Sequence, residues 1–130
     1  MFEVDADVRN TRLYLTITGR MERDELETAA DEAVAAAERL RDGFDIINDL
    51  SGFTPPSPEA AKPIKRAQGE LKEMGVDRVV RIVDNETSRV VVNAFERRST
   101  DVGYSGETAP SVAEAERTLE EDAASGYASA

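Results

Sequence analysis

The side chains best suited to chemistry in this chain lie in one stretch, FDIINDLSGFTPPSP, which runs from Phe44 to Pro58. The stretch begins as a short apolar strand and becomes polar at Asn48 and Asp49. It ends at Ser57-Pro58, and a serine followed by a proline is typical of a helix start. Open α/β sheets bind ligands and partners in loops that lead from the carboxyl end of a strand to a helix. The sequence therefore predicts a functional surface in this loop.

Other predicted strands also end in polar residues. Because the carboxyl ends of parallel strands meet at one edge of a sheet, we predict that these residues form a single binding surface. The candidate binding residues are Arg20, Asp49, Ser51, Thr54, Ser57, Asp84 and Asn85.

Several of these residues also have purely structural explanations. Asp49 is placed to accept backbone N–H groups in the turn made by Ser51 and Gly52. Ser57 is placed to cap one helix, and Asp84 or Asn85 to cap the next. Arg20 is the most ambiguous, because a loop arginine either binds an anion or is simply solvated.

Asp49 and Asp84 support an alternative function. If their strands are neighbours, two carboxylates can hold Mg²⁺ through oxygen ligands and leave positions open for a phosphate. The alternative is thus a small Mg²⁺-assisted phosphate-handling enzyme. No base or nucleophile with an activating partner is visible in the sequence, so we rank this enzyme below a non-catalytic binding module. We predict no cofactor and no resident metal.

The composition of the chain further narrows the possible classes of function. The chain has 130 residues, no cysteine and no histidine, which excludes disulfides, thiolate metal sites and histidine-dependent catalytic triads. The formal net charge of −11 opposes nucleic-acid binding. This acidity fits a basic partner, a high-salt habitat or an ordinary acidic protein, and the sequence does not decide among them. With no secretory signal and no apolar run of membrane-spanning length, we expect a cytoplasmic protein.

The elements that must position these residues follow from hydrophobic periodicity. Alternation and β-branched runs predict strands at 2–8, 12–18, 44–50, 78–84 and 102–104. Apolar spacings of three and four predict helices at 22–41 and 57–74, and capping signals predict two more, from Asp84 to about residue 98 and over 111–121. Residues 122–130 are predicted to be a disordered tail.

The predicted order is ββαβαβαβα in one α/β domain, residues 1–121, with a single mixed, largely parallel sheet and four helices. Within the third predicted helix, the run Val90–Phe95 (VVVNAF) is too apolar to be fully solvated. It offers a further alternative, a self-associating structural module that forms a homodimer through this region.

This element order, with Asp49-Leu50-Ser51-Gly52-Phe53 ending the third strand, resembles the STAS family of anti-sigma-factor antagonists and sulfate-transporter tails. The ending YSGETAPSVAEAERTLEE is also similar to the branch grouped as STAS/SEC14-like proteins. The resemblance implies a regulatory domain that binds a protein partner or a small or lipid-like ligand. In the family a related segment carries a phosphorylated serine.

That phosphoserine motif is not retained here. Laying Asp49-Leu50-Ser51-Gly52 on the family pattern puts Pro58 or Glu59 where the phosphorylated serine should stand. Ser57 is displaced by one or two positions and is followed by a proline. Glu59 is therefore a candidate for a permanent negative charge near the position that a phosphate would occupy.

Overall fold

The computed structural model describes residues 1–54, 57, 59–83 and 107–129, with side chains up to residue 121. Its main sheet has five strands, in the spatial order β1-β2-β4-β6-β7. These strands are β1 (Phe2–Asp7), β2 (Arg12–Ile17), β4 (Asp45–Asp49), β6 (Val79–Ile82) and β7 (Glu107–Ala109). β1 is antiparallel to β2, and the other three pairings are parallel. The prediction of a mixed, largely parallel sheet is confirmed.

Three helices cover the sheet within the described part of the chain. They are α1 (Arg23–Ala37), α2 (Lys62–Glu73) and α3 (Val112–Ser129). α1 and α2 pack on one face, because Leu13, Ile46 and Val79 share buried clusters with side chains of these helices. α3 packs on the other face against the alternate strand positions, which include Ile47 and Val80. The period-2 alternation of strand side chains produces these two layers.

The second helix begins later than predicted. The sequence suggested a start at Ser57-Pro58, whereas α2 begins at Lys62 after a turn, with Pro63 in its first turn. A helix starting at Pro58 would place Pro63 in its interior, where the missing N–H and the ring would break it. At the start of a helix the same proline is tolerated, because the first N–H groups have no intrahelical partner.

The other helix ends also differ from the prediction. α1 ends at Ala37 rather than residue 41, and the chain continues in i→i+3 turns, in which Arg39 N–H donates to the carbonyl of Ala36. α3 continues past the predicted end at residue 121 to Ser129, through residues for which a disordered tail was predicted. Its start is as predicted, because Ser111 Oγ accepts the N–H of Glu114 at 3.2 Å.

Two predicted elements, the helix from Asp84 to residue 98 and the strand at 102–104, lie outside the described residues. Conversely, the structure contains a second sheet that the sequence did not predict. Its strands are β3 (Gly19–Arg20) and β5 (Phe53–Thr54), which pair in parallel. This small ribbon follows the carboxyl ends of β2 and β4, where the candidate surface was expected.

Candidate functional site

The loop after β4 is organised by Asp49. The Oδ1 atom of this residue accepts the backbone N–H of Ser51 at 3.0 Å and also the Ser51 hydroxyl. Gly52 then adopts a φ of +76°, a conformation that L side chains rarely adopt, and Phe53 N–H returns to the carbonyl of Leu50 at 3.0 Å. The structural role expected for Asp49, as the acceptor of a tight turn, is therefore present.

The ribbon places two candidate residues side by side. Gly19 has a φ of +71° and donates its N–H to the carbonyl of Gly52 at 2.9 Å, which brings the two short strands together. In the resulting register Arg20 lies opposite Thr54. Both residues are exposed, and the Arg20 guanidinium is 3.7 Å from the carboxylate of Glu22. Arg20 is thus a solvated residue with one surface ion pair, at an edge that a partner can reach.

Ser57 lies in the turn before α2. Its Oγ accepts the N–H of Ala60 at 3.2 Å, and its carbonyl accepts the N–H of Ala61 at 3.1 Å. The serine hydroxyl therefore caps a turn rather than the helix itself.

Glu59 carries a neutralised charge. Its carboxylate is 2.9 Å from the Lys62 ammonium and 3.1 Å from the Arg23 guanidinium. The hydrogen bond from Lys62 is the main reason that the pKa of Glu59 lies below its usual value. Glu59 is consequently ionised, but two cations already balance it, so it is a weak stand-in for a phosphate.

Beneath this edge lies a partly enclosed cavity of about 60 Å³, between the sheet and the two helices α1 and α2. It is lined by the carboxyl-terminal half of β2, by α1 and by α2. Apolar side chains form most of its wall, including Leu15, Ile17, Leu26, Ile64, Ala67 and Leu71. Two carboxamides, those of Asn48 and Gln68, complete it. This is the kind of concave, mostly apolar site with few polar groups in which proteins bind small molecules.

Asn48 is the notable polar group of the cavity wall. It is 8% exposed, and its Oδ1 accepts no hydrogen bond from any group in the described part of the chain. On the sheet it lies in register between Leu15 of β2 and Arg81 of β6. Buried carboxamide oxygens are normally satisfied, so one without a donor among the described residues marks a place where another molecule can supply the hydrogen bond.

Sequence reasoning noted Asn48 only as the polar end of a strand, and it missed Arg81 and Gln68. Arg81 is 1% exposed and Gln68 is 5% exposed, so both belong to the interior. The sequence did contain a signal for Asn48 and Arg81, in the alternation of their strands. Alternation from Ile46 places Asn48 on the face covered by α1 and α2, and alternation from Val79 places Arg81 there as well.

The seven candidate residues are thus only partly brought together. Asp49 and Ser51 share one turn, Arg20 and Thr54 share the ribbon, and Ser57 lies in the turn before α2. Asp84 and Asn85 lie outside the described residues, as does the Val90–Phe95 run. The pairing of Asp49 with Asp84 that an Mg²⁺ site would need therefore stays a prediction. Among the residues that are described, no three acidic side chains group closely enough to hold a metal.

Comparison of the sequence with models of known protein families gives no match, and comparison with curated proteins gives no significant match. In the described portion, no helix combines the length and apolar character needed to cross a membrane. The site is therefore interpreted from its own geometry: an exposed polar edge above a partly enclosed apolar cavity.

Proposed function

We propose that this chain is a non-catalytic regulatory binding module with a STAS-like fold, which takes a small or lipid-like ligand at the carboxyl edge of its sheet. The observation that carries the proposal is the cavity bordered by Asn48, whose buried Oδ1 accepts no hydrogen bond from any described residue. The element order of the described residues, with its antiparallel first strand, is compatible with the STAS-like assignment.

Energetics favour a binding role for the cavity. Relative to a closely packed interior, a cavity of 60 Å³ costs about 1.4 kcal/mol, at about 24 cal/mol per Å³. A buried carboxamide oxygen without a donor costs about 1–3 kcal/mol more. These costs are a sizeable part of the stability of a small domain, which is about 5–15 kcal/mol. A ligand that fills the space and donates to Asn48 would recover both.

The position of the cavity also supports a ligand-binding role. It lies between the first half of α1, most of the length of α2 and the last residues of β2, close to the carboxyl edge at which open α/β sheets bind ligands. Several of its lining residues, among them Leu26 and Ile64, belong to the same buried cluster as Leu50 and Phe53, which flank the Asp49 turn. Side chains of the cavity wall therefore pack in one cluster with side chains of the loop that forms the exposed edge.

This contact gives the module a way to report binding. Phe53 is buried in the cluster, and its neighbour Thr54 is exposed beside Arg20 on the ribbon. A shift of Phe53 on ligand binding would move the ribbon, and a protein partner that reads Arg20, Ser51 and Thr54 would sense it. Regulation would then depend on a bound ligand and not on a phosphoserine, since Ser57 is engaged in a turn and Glu59 is charge-balanced.

Native mass spectrometry tests the proposal. The protein is purified under gentle conditions from its own cells, and one sample is measured intact while a second is measured after denaturation. A small mass excess that disappears on denaturation supports a bound ligand. The matched variant is Ala67→Leu, which adds three carbons to the cavity wall and should abolish the excess.

The control is Ala35→Leu, which adds the same atoms at an exposed position of α1 and should keep the ligand. If the wild-type protein carries no ligand under these conditions, and the methyl groups of the cavity also fail to respond to small added probes, the ligand-binding function is wrong.

A further inference from the structure

We infer that the ligand group held in this cavity is a small, uncharged aliphatic alcohol, whose hydroxyl donates a hydrogen bond to Oδ1 of Asn48. The inference deepens the proposed function and rests on it. It names the chemistry of the part that enters the cavity, whether that part is a free small molecule or the end of a longer one.

The size of the cavity limits the group. An apolar cavity of about 150 Å³ accommodates benzene, which has six non-hydrogen atoms. By simple proportion, the 60 Å³ here accommodates about two such atoms. The hydroxyl end of a short alcohol fits, and a ring system does not. Anything larger must extend out of the cavity, which is only partly enclosed.

The wall determines the polarity of most of the group. Leu15, Ile17, Leu26, Ile64 and Leu71 present aliphatic carbon, and removal of aliphatic surface from water is favourable in proportion to its area. A charged group would lose its hydration with only carboxamides to replace it, because the described residues that line the cavity include no ionisable side chain. The group is therefore uncharged and mainly aliphatic.

Asn48 determines the polar part. Its Oδ1 is buried and has no donor among the described residues, and rotation of the carboxamide about its broad, soft torsion would turn this oxygen toward the cavity that Asn48 lines. Of the small uncharged groups, a hydroxyl serves best, since it donates to the oxygen and can still accept from a carboxamide N–H. A ketone or an ether of the same shape only accepts and leaves Oδ1 without a donor.

Water is the competing occupant. About two waters fit in 60 Å³ at their liquid volume, and one of them would satisfy Asn48. Water gains nothing from the aliphatic wall, however, whereas an alcohol contacts the wall and the carboxamide together. An alcohol should therefore displace the water.

The experiment compares 2-propanol with acetone, which have nearly the same shape but differ in the hydroxyl donor. Each is titrated into the wild-type protein while the methyl resonances of Leu15, Leu26 and Ile64 are followed by NMR. We expect saturable shifts, with 2-propanol binding about three- to tenfold more tightly than acetone, as one satisfied hydrogen bond would give. Equal or tighter binding of acetone would overturn the inference about the hydroxyl and leave the ligand cavity standing. Absence of saturable shifts with both probes would overturn the proposed function itself.

A variant localises the effect. Asn48→Leu replaces the carboxamide by an apolar group of similar size and should bring the ratio of the two affinities close to one. Thr16→Val is the matched control, because it removes a hydroxyl from the adjoining strand at a position that alternation places on the opposite face, and it should keep the ratio. A wild-type ratio retained in Asn48→Leu would exclude Asn48 as the acceptor. If Asn48→Leu does not fold, the wild-type ratio decides alone.

A third probe identifies the source of the group. 2-Octanol carries the same hydroxyl on a longer chain. Binding at least tenfold tighter than that of 2-propanol would indicate the end of a longer, lipid-like molecule. Equal or weaker binding, with the alcohol preference intact, would indicate a free small molecule. A mass excess found in native spectra must agree with whichever source the probes indicate.

Discussion

The hydroxyl of Tyr14, on β2, donates a 2.6 Å hydrogen bond to the Oε2 atom of Glu116, on α3. Arg12 joins the pair, because its Nη1 atom is 3.3 Å from the tyrosine oxygen and 3.9 Å from the same carboxylate oxygen. The Arg12 side chain is almost completely buried, so Tyr14 and Glu116 compensate the lost hydration of its charge. This three-residue network connects α3 to the sheet face opposite the cavity.

Breaking the network should destabilise the fold without affecting ligand binding. We expect Tyr14→Phe to lower the free energy of unfolding by about 1–2 kcal/mol, because it removes a hydrogen bond to a charged group. Urea unfolding of Tyr14→Phe, Glu116→Gln and the double variant measures the coupling, which should be about 1 kcal/mol. Glu120→Gln, at an exposed position of the same helix, is the control. Strictly additive effects of the two substitutions would show that the bond contributes nothing in solution.

Tyr14 should also titrate unusually. Its pKa is raised, mainly because burial disfavours the phenolate. The hydrogen bond with Arg12 opposes this shift, and the Glu116 carboxylate adds to it. A pKa raised on folding gives stability that is fully present below the ordinary tyrosine value of about 10 and is lost as the pH rises through the folded value. Ultraviolet titration of wild type and Tyr14→Phe isolates this residue from the other tyrosines. Titration of Tyr14 at or below the ordinary value would contradict the buried geometry.

Periodicity predicted the elements that have an extended apolar face and missed those that do not. The strand at Asp45–Asp49 and the helix at Arg23–Ala37 each present several apolar residues at a regular spacing, so sequence alone located them. The β3–β5 ribbon has only two residues in each strand, and it exists because Gly19 turns back to the carbonyl of Gly52. No periodic pattern can reveal a contact of that kind.

The candidate site was predicted in part for a similar reason. Polar residues at strand ends located the edge, since their position follows from topology. The cavity beneath depends on volumes that several helices and strands enclose together, and such a gap leaves no pattern in one segment. Gln68 shows the difficulty well, because a glutamine in a charged helix looks solvated until α2 is docked with that residue facing inward.

Ser111, which caps a helix, and Ser57, which caps a turn, should differ in their contribution to stability. Ser111→Ala removes the N-cap of α3 and should cost about 1 kcal/mol. Ser57→Ala should cost less, because Ser57 caps an isolated exposed turn and α2 begins only at Lys62. Urea unfolding of both variants provides the comparison. An equal cost at Ser57 would mean that in solution the helix begins at Ser57, as the sequence suggested.

Two substitutions on α2, one that enlarges the cavity and one that fills it, should have opposite effects on stability. Leu71 lines the cavity and is 2% exposed. Leu71→Ala enlarges the cavity and should lower the free energy of unfolding by about 2–5 kcal/mol. Ala67→Leu fills the space, and the ligand-free protein should gain about 1 kcal/mol at most, since new contacts are offset by some strain. Thermal unfolding with and without 2-propanol separates the two effects. A large loss of stability in Ala67→Leu would show that the cavity is closed in solution.

Substitutions at the edge residues Arg20 and Asp49 should distinguish a loss of partner affinity from a loss of stability. Arg20 is exposed and has one surface ion pair, so Arg20→Glu should change the free energy of unfolding by less than about 0.5 kcal/mol. Asp49→Ala should cost about 1–2 kcal/mol because Ser51 loses its acceptor, whereas Asp49→Asn keeps a carboxamide oxygen in place and should cost less. Arg20→Glu is consequently the cleaner probe of a partner at this edge, since any loss of partner affinity cannot come from unfolding. Should Arg20→Glu instead lower the melting temperature as much as Asp49→Ala does, Arg20 would be a structural residue of the ribbon and the partner surface would lie elsewhere.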